Sequence, residues 1–413
     1  MRPAPGVVVQ VRVASPNAAA QRAVERLFQP LVGQPLNPQK IDAMLAAVRG
    51  DGRYDANYSV AYEVPGSHLP SLQVKVTDKQ TGPPFLLLGA NIKSQSSAPA
   101  EATVEGILLD QDLGGYGSEL RSHFIGGYVT DVDTEYFRRL TAPGIGGETS
   151  AGAKLGELFV APRVGLRREP FYIYQDRARL SERQLQHIGG GVDVGWTDQR
   201  TREFRAGWEM DRISWTTTVG SGSDLLPDVR GSMQKARLRY VFDTQDRALV
   251  PQFGVHLVAE AGYLFKAVES PDAPEMTLQA SLAHRIDKYV AVVSVDAGTL
   301  LGRDVAQPFR FTLGGPLRLS ASSMDEYRGT DYFLLAPMLL RRVASLPAPL
   351  GHSIYVGGTY EVGQMRAPDA ATITRQDVFF GLVAETPLGV ITLGPALGDH
   401  DERKLVFTLG RFF

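Results

Sequence analysis

Glu275 to Ile286 reads EMTLQASLAHRI, and its residues sort with a period of two. Met276, Leu278, Ala280, Leu282 and Ile286 share one side of an extended chain, while Thr277, Gln279, Ser281 and Arg285 share the other. Such a segment is a strand with one greasy face and one polar face. In GVHLVAEAGYLF (254–265), Val255, Leu257, Ala259, Ala261, Tyr263 and Phe265 oppose His256, Glu260 and Gly262. In EFRAGWEMD (203–211), Phe204, Ala206, Trp208 and Met210 oppose Arg205, Gly207, Glu209 and Asp211. KARLRYVFD (235–243) sets Ala236, Leu238, Tyr240 and Phe242 against Lys235, Arg237, Arg239 and Asp243.

Two architectures produce this pattern. A soluble sandwich turns its polar face to water. A membrane barrel turns its apolar face to lipid, keeps its charges in the lumen and leaves no open edge, because hydrocarbon cannot satisfy one. Strand number and length separate them. About sixteen segments lie between Gly82 and the C-terminus, near the 9 to 11 residues of a tilted spanning strand, with no helical pattern among them. A helix-free sandwich of that size would be unusual. The connections alternate in length, as at the tight DLGGYG (112–117) and the long stretch 302–329, as expected for short inner turns and longer outer loops. The chain closes with KLVFTLGRFF (404–413), read as the strand that completes the cylinder, with Phe407, Gly410, Phe412 and Phe413 as closure and C-terminal signal.

Composition agrees without deciding. The 413 residues carry a net charge of −2, which leaves no basic footprint for nucleic acid. With Cys 0, disulfide and thiolate chemistry are excluded, as suits passage through an oxidising compartment. The longest apolar runs, FLLLGA (85–90) and YVAVV (289–293), are far shorter than the roughly 20 residues of a spanning helix. MRPAPGVVVQVRV shows no signal-peptide pattern, so the chain reads as a mature protein or as part of a longer one.

Before Gly82 the period changes. Val24, Leu27, Phe28 and Leu31, and again Ile41, Met44, Leu45 and Val48, recur at helical spacing. Ser15-Pro16 and Asn37-Pro38 offer a cap followed by proline at the first helical position. Around them VVVQVRV (7–13), YSVAYEV (58–64) and LQVKVT (72–77) read as strands, the last two joined across Pro65-Gly66. The order strand, helix, helix, strand, strand predicts a small α+β domain over 1–80 and a barrel over 83–413. An outer strand of the small sheet could pair with another extended chain.

A module of that order leading through TDKQTGPPFLLLGANI (77–92) into a barrel that ends LGRFF resembles the POTRA-plus-barrel superfamily of outer-membrane assembly and translocation proteins. More narrowly, GDGRYDANYSVAY, DLGGYGSELR, FDTQDRALVPQFG, FTLGGPLRLSASS and ETPLGVITLGPALGD resemble the C-terminal part of bacterial patatin-like phospholipases that carry their own translocator. The resemblance implies a mainly β protein: one periplasmic POTRA domain and a sixteen-stranded transmembrane antiparallel barrel in a Gram-negative outer membrane. It implies outer-membrane lipids and the barrel assembly machinery as partners, and an upstream patatin-like domain or another client at the POTRA module. The sequence leaves dimerisation open.

Catalysis is not expected of this chain. No serine has the G-x-S-x-G elbow of a patatin-type hydrolase; the nearest, GHSIY around Ser353, lacks the second glycine. Asp51-Gly52 reads as a tight turn rather than a catalytic pair. The seven histidines are scattered, GDHDER (398–403) reads as a solvated loop, and neither metal nor cofactor is expected.

One constellation is specific to the superfamily resemblance. There, the sixth outer loop folds into the lumen and an arginine pairs with an acidic residue of the thirteenth strand. TYEVG (359–363) supplies Glu361 as the carboxylate, with Gly363 after it. Beyond the loop glycines Gly314 and Gly315, Ser320 stands where the arginine is expected, so Arg328 or Arg318 is the candidate partner of Glu361. The plain alternative is a solvated arginine and a glutamate facing water. The other lumen charges, among them Arg205, Glu209, Lys235, Arg237, Arg239, Glu260 and Arg285, read as an internal ladder of opposite signs rather than a pore lining. Three functions remain in play: delivery of the chain's own upstream domain, general insertion or two-partner secretion, and passive diffusion through a porin.

Overall fold

A computed structural model describes residues 6–50, 54–62, 70–79, 84–96, 100–115, 117–140, 157–175, 178–198, 201–220, 227–347, 349–368 and 370–410. The small module comes first, as β1 (Gln10–Ala14), α1 (Ala18–Phe28), α2 (Pro38–Gly50), β2 (Tyr54–Tyr62) and β3 (Pro70–Asp78). β3 is central, parallel to β1 and antiparallel to β2. Val24, Phe28, Ile41, Leu45 and Val48 bury their helical faces against Leu72, Val74 and Val76. Asn37 caps α2 as expected, its Oδ1 accepting from the Lys40 amide at 3.2 Å. The first cap differs. Asn17 Oδ1 accepts from the Ala20 amide at 3.3 Å, and Ser15 instead accepts from the Asn17 amide, so α1 starts beyond Pro16. The turns read at Asp51-Gly52 and Pro65-Gly66 lie outside the described residues.

The barrel begins with β4 (Phe85–Gln95), β5 (Glu101–Gln111), β6 (Ser118–Gly127) and β7 (Thr130–Arg139). It continues through β8 (Glu157–Gln175), β9 (Ala178–Thr197), β10 (Arg202–Val219), β11 (Val229–Asp243), β12 (Phe253–Phe265), β13 (Ala273–Ile286) and β14 (Tyr289–Thr299). After a short hairpin, β15 (Phe311–Leu313) and β16 (Tyr327–Gly329), come β17 (Asp331–Ser345), β18 (Ser353–Arg366), β19 (Ile373–Thr386), β20 (Gly389–Gly398) and β21 (Arg403–Gly410). Omitting β15 and β16, which pair only with each other, sixteen antiparallel strands close on themselves through β21 and β4. The Tyr54 hydroxyl donates to Asp112 in the β5–β6 turn at 3.2 Å, which identifies the near end of the barrel, on the side of the small sheet.

The faces segregate as the alternation requires. Leu282, Leu339, Phe380 and Leu405 leave about half of each side chain exposed on the outer wall, whereas Phe379, beside Phe380, is 1% exposed. Withdrawing a side chain of this size from water is worth about 1.5–3 kcal/mol, so a girdle of them is stable only against hydrocarbon.

Three expectations needed correction. Strand length is not uniform: β8, β9 and β10 have 19, 20 and 18 residues, and β8 and β9 pair with each other beyond the end of β7, so they project past the far rim. Connection length does not sort by side, because only 128–129 separate β6 from β7 at the far end, where the chain also makes its long connection 300–330. The inner wall is not charged throughout. From β13 onward its near half is apolar, with Val290, Val292, Met338, Leu340, Tyr355 and Val383 buried inside the barrel.

The ladder occupies the other half of the lumen. Asp193, fully buried, faces Arg237 at 2.7 Å, Arg205 at 3.4 Å and Arg163 at 3.9 Å. Arg205 also pairs with Glu135, and Arg163 with Glu209. Lys235 reaches Glu275 at 3.0 Å and Glu260 at 3.1 Å. Arg239 lies opposite Glu260 in register, and Arg285 donates to Gln252 at 2.6 Å. Opposite signs on neighbouring strands offset the desolvation of each.

Candidate functional site

The connection between β14 and β17 is the sixth at the far end, and it turns inward. Its hairpin leads to Gly314 and Gly315, at φ 121° and 115°, where the chain bends as only glycine does at low cost; a Cβ on Gly314 would meet the Ser323 carbonyl. Leu317 and Leu319 then take φ of 59° and 72°, unfavourable for bulky residues by about 1–3 kcal/mol each and maintained only where the surroundings over-determine them.

The surroundings do so. Glu361 on β18, with no exposed surface, accepts from the Ser320 amide at 2.5 Å and the Ser320 hydroxyl at 3.0 Å. Asp377, its register partner on β19, accepts from the Ala321 amide at 2.7 Å. The Gln95 carboxamide at the end of β4 donates to the carbonyls of Ser320 at 3.0 Å and Ser322 at 2.9 Å, and Lys404 on β21 donates to the Ser323 hydroxyl at 2.7 Å. Two bare positions admit the loop: a Cβ on Gly363 would lie 2.9 Å from Leu319 and 3.0 Å from Leu313, and one on Gly398 would lie 2.8 Å from Ala321. A cavity of about 440 Å³ borders the loop, lined in part by Lys93, Asp296, Arg318, Glu361 and Thr408.

The expected arginine–glutamate pair is not formed. Arg318 turns to β14, donating to Asp296 at 3.0 Å and to the Thr312 carbonyl at 3.2 Å. Arg328 sits on β16 opposite Thr312, which directs it toward β8: it donates to the Gln307 carbonyl at 2.8 Å and lies 4.7 Å from the Phe171 ring centre. Burial pushes its guanidinium down to about 10, against the pull of Asp325, so it remains a cation at neutral pH. Ser320, standing where the arginine is expected, is itself the residue that engages Glu361. The loop is held by hydrogen bonds from its own backbone to these two buried carboxyl groups, and among the described residues neither Glu361 nor Asp377 has a basic side chain within salt-bridge distance.

Asp377, Gln95 and Lys404 were not expected at this site. A signal existed for Asp377, which shares the inward face of β19 with Phe379 and Val383 and so is a carboxylate in apolar company. Ser353 opens β18 in register with Ser345, on a strand and not on a strand-to-helix elbow.

The loop tip lies at the join with the fewest ladder positions among the described residues. Among the described residues the β21–β4 ladder runs over four positions, Val406–Gln95 to Leu409–Ile92, supplemented by the Ser96 amide donating to the Leu405 carbonyl at 3.0 Å. β14 and β17, by contrast, pair over eleven. Gln95 belongs to one lip of this seam and Lys404 to the other, so the tip binds both. Phe407 faces outward opposite Ser94, and Gly410, at φ 140°, ends the described strand; Phe412 and Phe413 lie outside the described residues.

No protein-family model and no curated protein matches the sequence. Solved structures do match in shape. BamA from Haemophilus ducreyi lacking POTRA domains 1–3 aligns with 98% of this chain and 84% of its own, at 11% identity and a TM-score of 0.67. CdiB from Acinetobacter baumannii aligns with 98% of this chain and 74% of its own, at 8% identity and 0.56. CdiB from Escherichia coli gives 98%, 76%, 12% and 0.54. The chain has the fold of these barrels: one small α+β module followed by a closed sixteen-stranded antiparallel cylinder.

Proposed function

We propose that the protein is an outer-membrane translocation or assembly barrel whose working part is the β21–β4 seam, held shut by the loop tip. The observation that carries this reading is the clasp: a seam with four ladder positions among the described residues is spanned by one segment that is tied to β4, β18, β19 and β21. An even strand number returns both barrel ends to the side of the small sheet, which would stand in the periplasm and receive a client polypeptide. A lumen filled by the loop disfavours a passive porin. The client we favour is a patatin-like domain encoded upstream, on the strength of the five sequence stretches that resemble the C-terminal part of such proteins. An in-frame G-x-S-x-G within about 300 residues upstream of Met1, the span of an α/β domain, would support that choice.

Because the chain has no cysteine, the seam can be locked selectively. Ser94→Cys with Phe407→Cys joins a register pair across it, and Ser281→Cys with Ser294→Cys joins β13 to β14 as a control. In planar bilayers the protein should give small, flickering openings that the oxidised seam pair suppresses and a reductant restores, with no effect of the control pair. Large steady openings indifferent to both crosslinks would make it a diffusion pore and refute the proposal.

A further inference from the structure

The near-end connection 244–252 does not extend away from the barrel as a simple turn. Asp246 Oδ1 accepts from the amides of Gln252 at 2.8 Å and Phe253 at 3.0 Å, closing the segment into a compact strap. A Cβ on Gly254, at φ 109°, would meet the Thr244 carbonyl, so the strap's base needs glycine there. Its tip points inward: Val250 has no exposed surface and Leu249 is half-buried. Gln245 donates to Ser281 at 2.9 Å, and Gln252 accepts from Arg285 at 2.6 Å, both on the inner face of β13.

The apolar cluster to which Val250 belongs takes Ala283 from β13, Val290 and Val292 from β14, Met338 and Leu340 from β17, Tyr355 from β18, Val383 from β19 and Val390 from β20. These strands, with β12 from which the strap springs, are seven consecutive members of a ring of sixteen. A segment rooted at β12, bonded to the inner face of β13 and packing its tip into a cluster that spans β13 to β20, turns into the lumen rather than away from the rim. Leu317 of the far-end loop packs on the same cluster, as does Leu249, so the two inserts share one floor.

We infer that residues 244–252 are a second plug, closing the near side of the lumen in series with the far-end loop. Constrictions in series each limit the current, so removing one leaves the other in control. This inference needs only a membrane-inserted barrel, and it stands or falls independently of whether the seam opens.

The test compares bilayer conductance of the full chain, of Leu249→Ser with Val250→Asp, of Glu361→Ala with Asp377→Ala, and of all four substitutions together, with heat-modifiable gel migration reporting that each barrel is folded. Either pair alone should raise steady conductance little, and the combination should raise it severalfold over both. A combined variant that conducts no more than the loop variant alone would overturn the inference. Should the combined variant fail to fold, labelling decides: Val250→Cys in the otherwise native protein should react with a water-soluble maleimide at least about tenfold more slowly than Arg247→Cys on the strap's exposed shoulder. Equal rates would show that the strap is not seated and would overturn the plug.

Discussion

Glu361→Ala is expected to free the loop tip. The substitution removes two hydrogen bonds to a buried carboxyl group and strands the buried Ser320 amide, and a buried polar group left without its partner costs about 1–3 kcal/mol. It also leaves the left-handed Leu317 and Leu319 without the contact that holds them. The loss, about 3–5 kcal/mol, leaves the tip held by the Asp377–Ala321, Gln95 and Lys404 bonds alone, so the backbone around Arg318 opens far more often. Trypsin should then cut after Arg318 in folded, reconstituted protein, where the native chain resists. Glu361→Gln keeps an acceptor for the amide and should give an intermediate rate. A cleavage pattern identical to the native one in the alanine variant would remove Glu361 from the clasp.

Asp193→Ala should have a comparable effect on the barrel itself without releasing the loop. Its carboxylate is the shared partner of Arg163, Arg205 and Arg237, and breaking a buried ionic network by deleting one member costs about 3–5 kcal/mol because the remaining charges are left uncompensated. The exposed pair Arg167–Asp131, 3.5 Å apart, is a fitting control, since Asp131→Ala should cost at most about 1 kcal/mol. Denaturant unfolding followed by Trp215, which is buried on the same half of the wall, measures both. Equal midpoints for the two variants would contradict the ladder as a stabilising device.

The barrel was legible because lipid imposes a simple rule on one face. Met276, Leu278, Ala280 and Leu282 must all be apolar for β13 to sit in hydrocarbon, and that demand is written in the sequence at every second position. The rule is silent where both faces are apolar. In YVAVVSVDAGT of β14, Val290 and Val292 point inward to the strap and loop while Ala291 and Val293 point out, so alternation could not reveal the inner cluster. Nor could it reveal the strap, because 244–252 carries the Asp, Gln and Pro of an ordinary turn and its inward path is set by the wall it meets. The loop lock was half legible. The TYEVG pattern marks Glu361 and Gly363, but a carboxylate in sequence points to a cation such as Arg318 or Arg328, whereas backbone amides at Ser320 and Ala321 do the binding and leave no compositional trace. β8 to β10 exceeded the expected length for a related reason: beyond the membrane the chain is no longer constrained by its thickness.

The apolar outer wall must face lipid if the seam and the two plugs are to work in a membrane. The direct measurement is a nitroxide scan of single cysteines from Met276 to Arg285 along β13 in lipid vesicles, reading collision with membrane-dissolved oxygen against collision with a water-soluble nickel chelate. Oxygen accessibility should peak at positions 276, 278, 280 and 282 and fall at 277, 279, 281 and 283. The opposite phase, or chelate access throughout the even positions, would mean that water surrounds this cylinder and that the membrane reading is wrong.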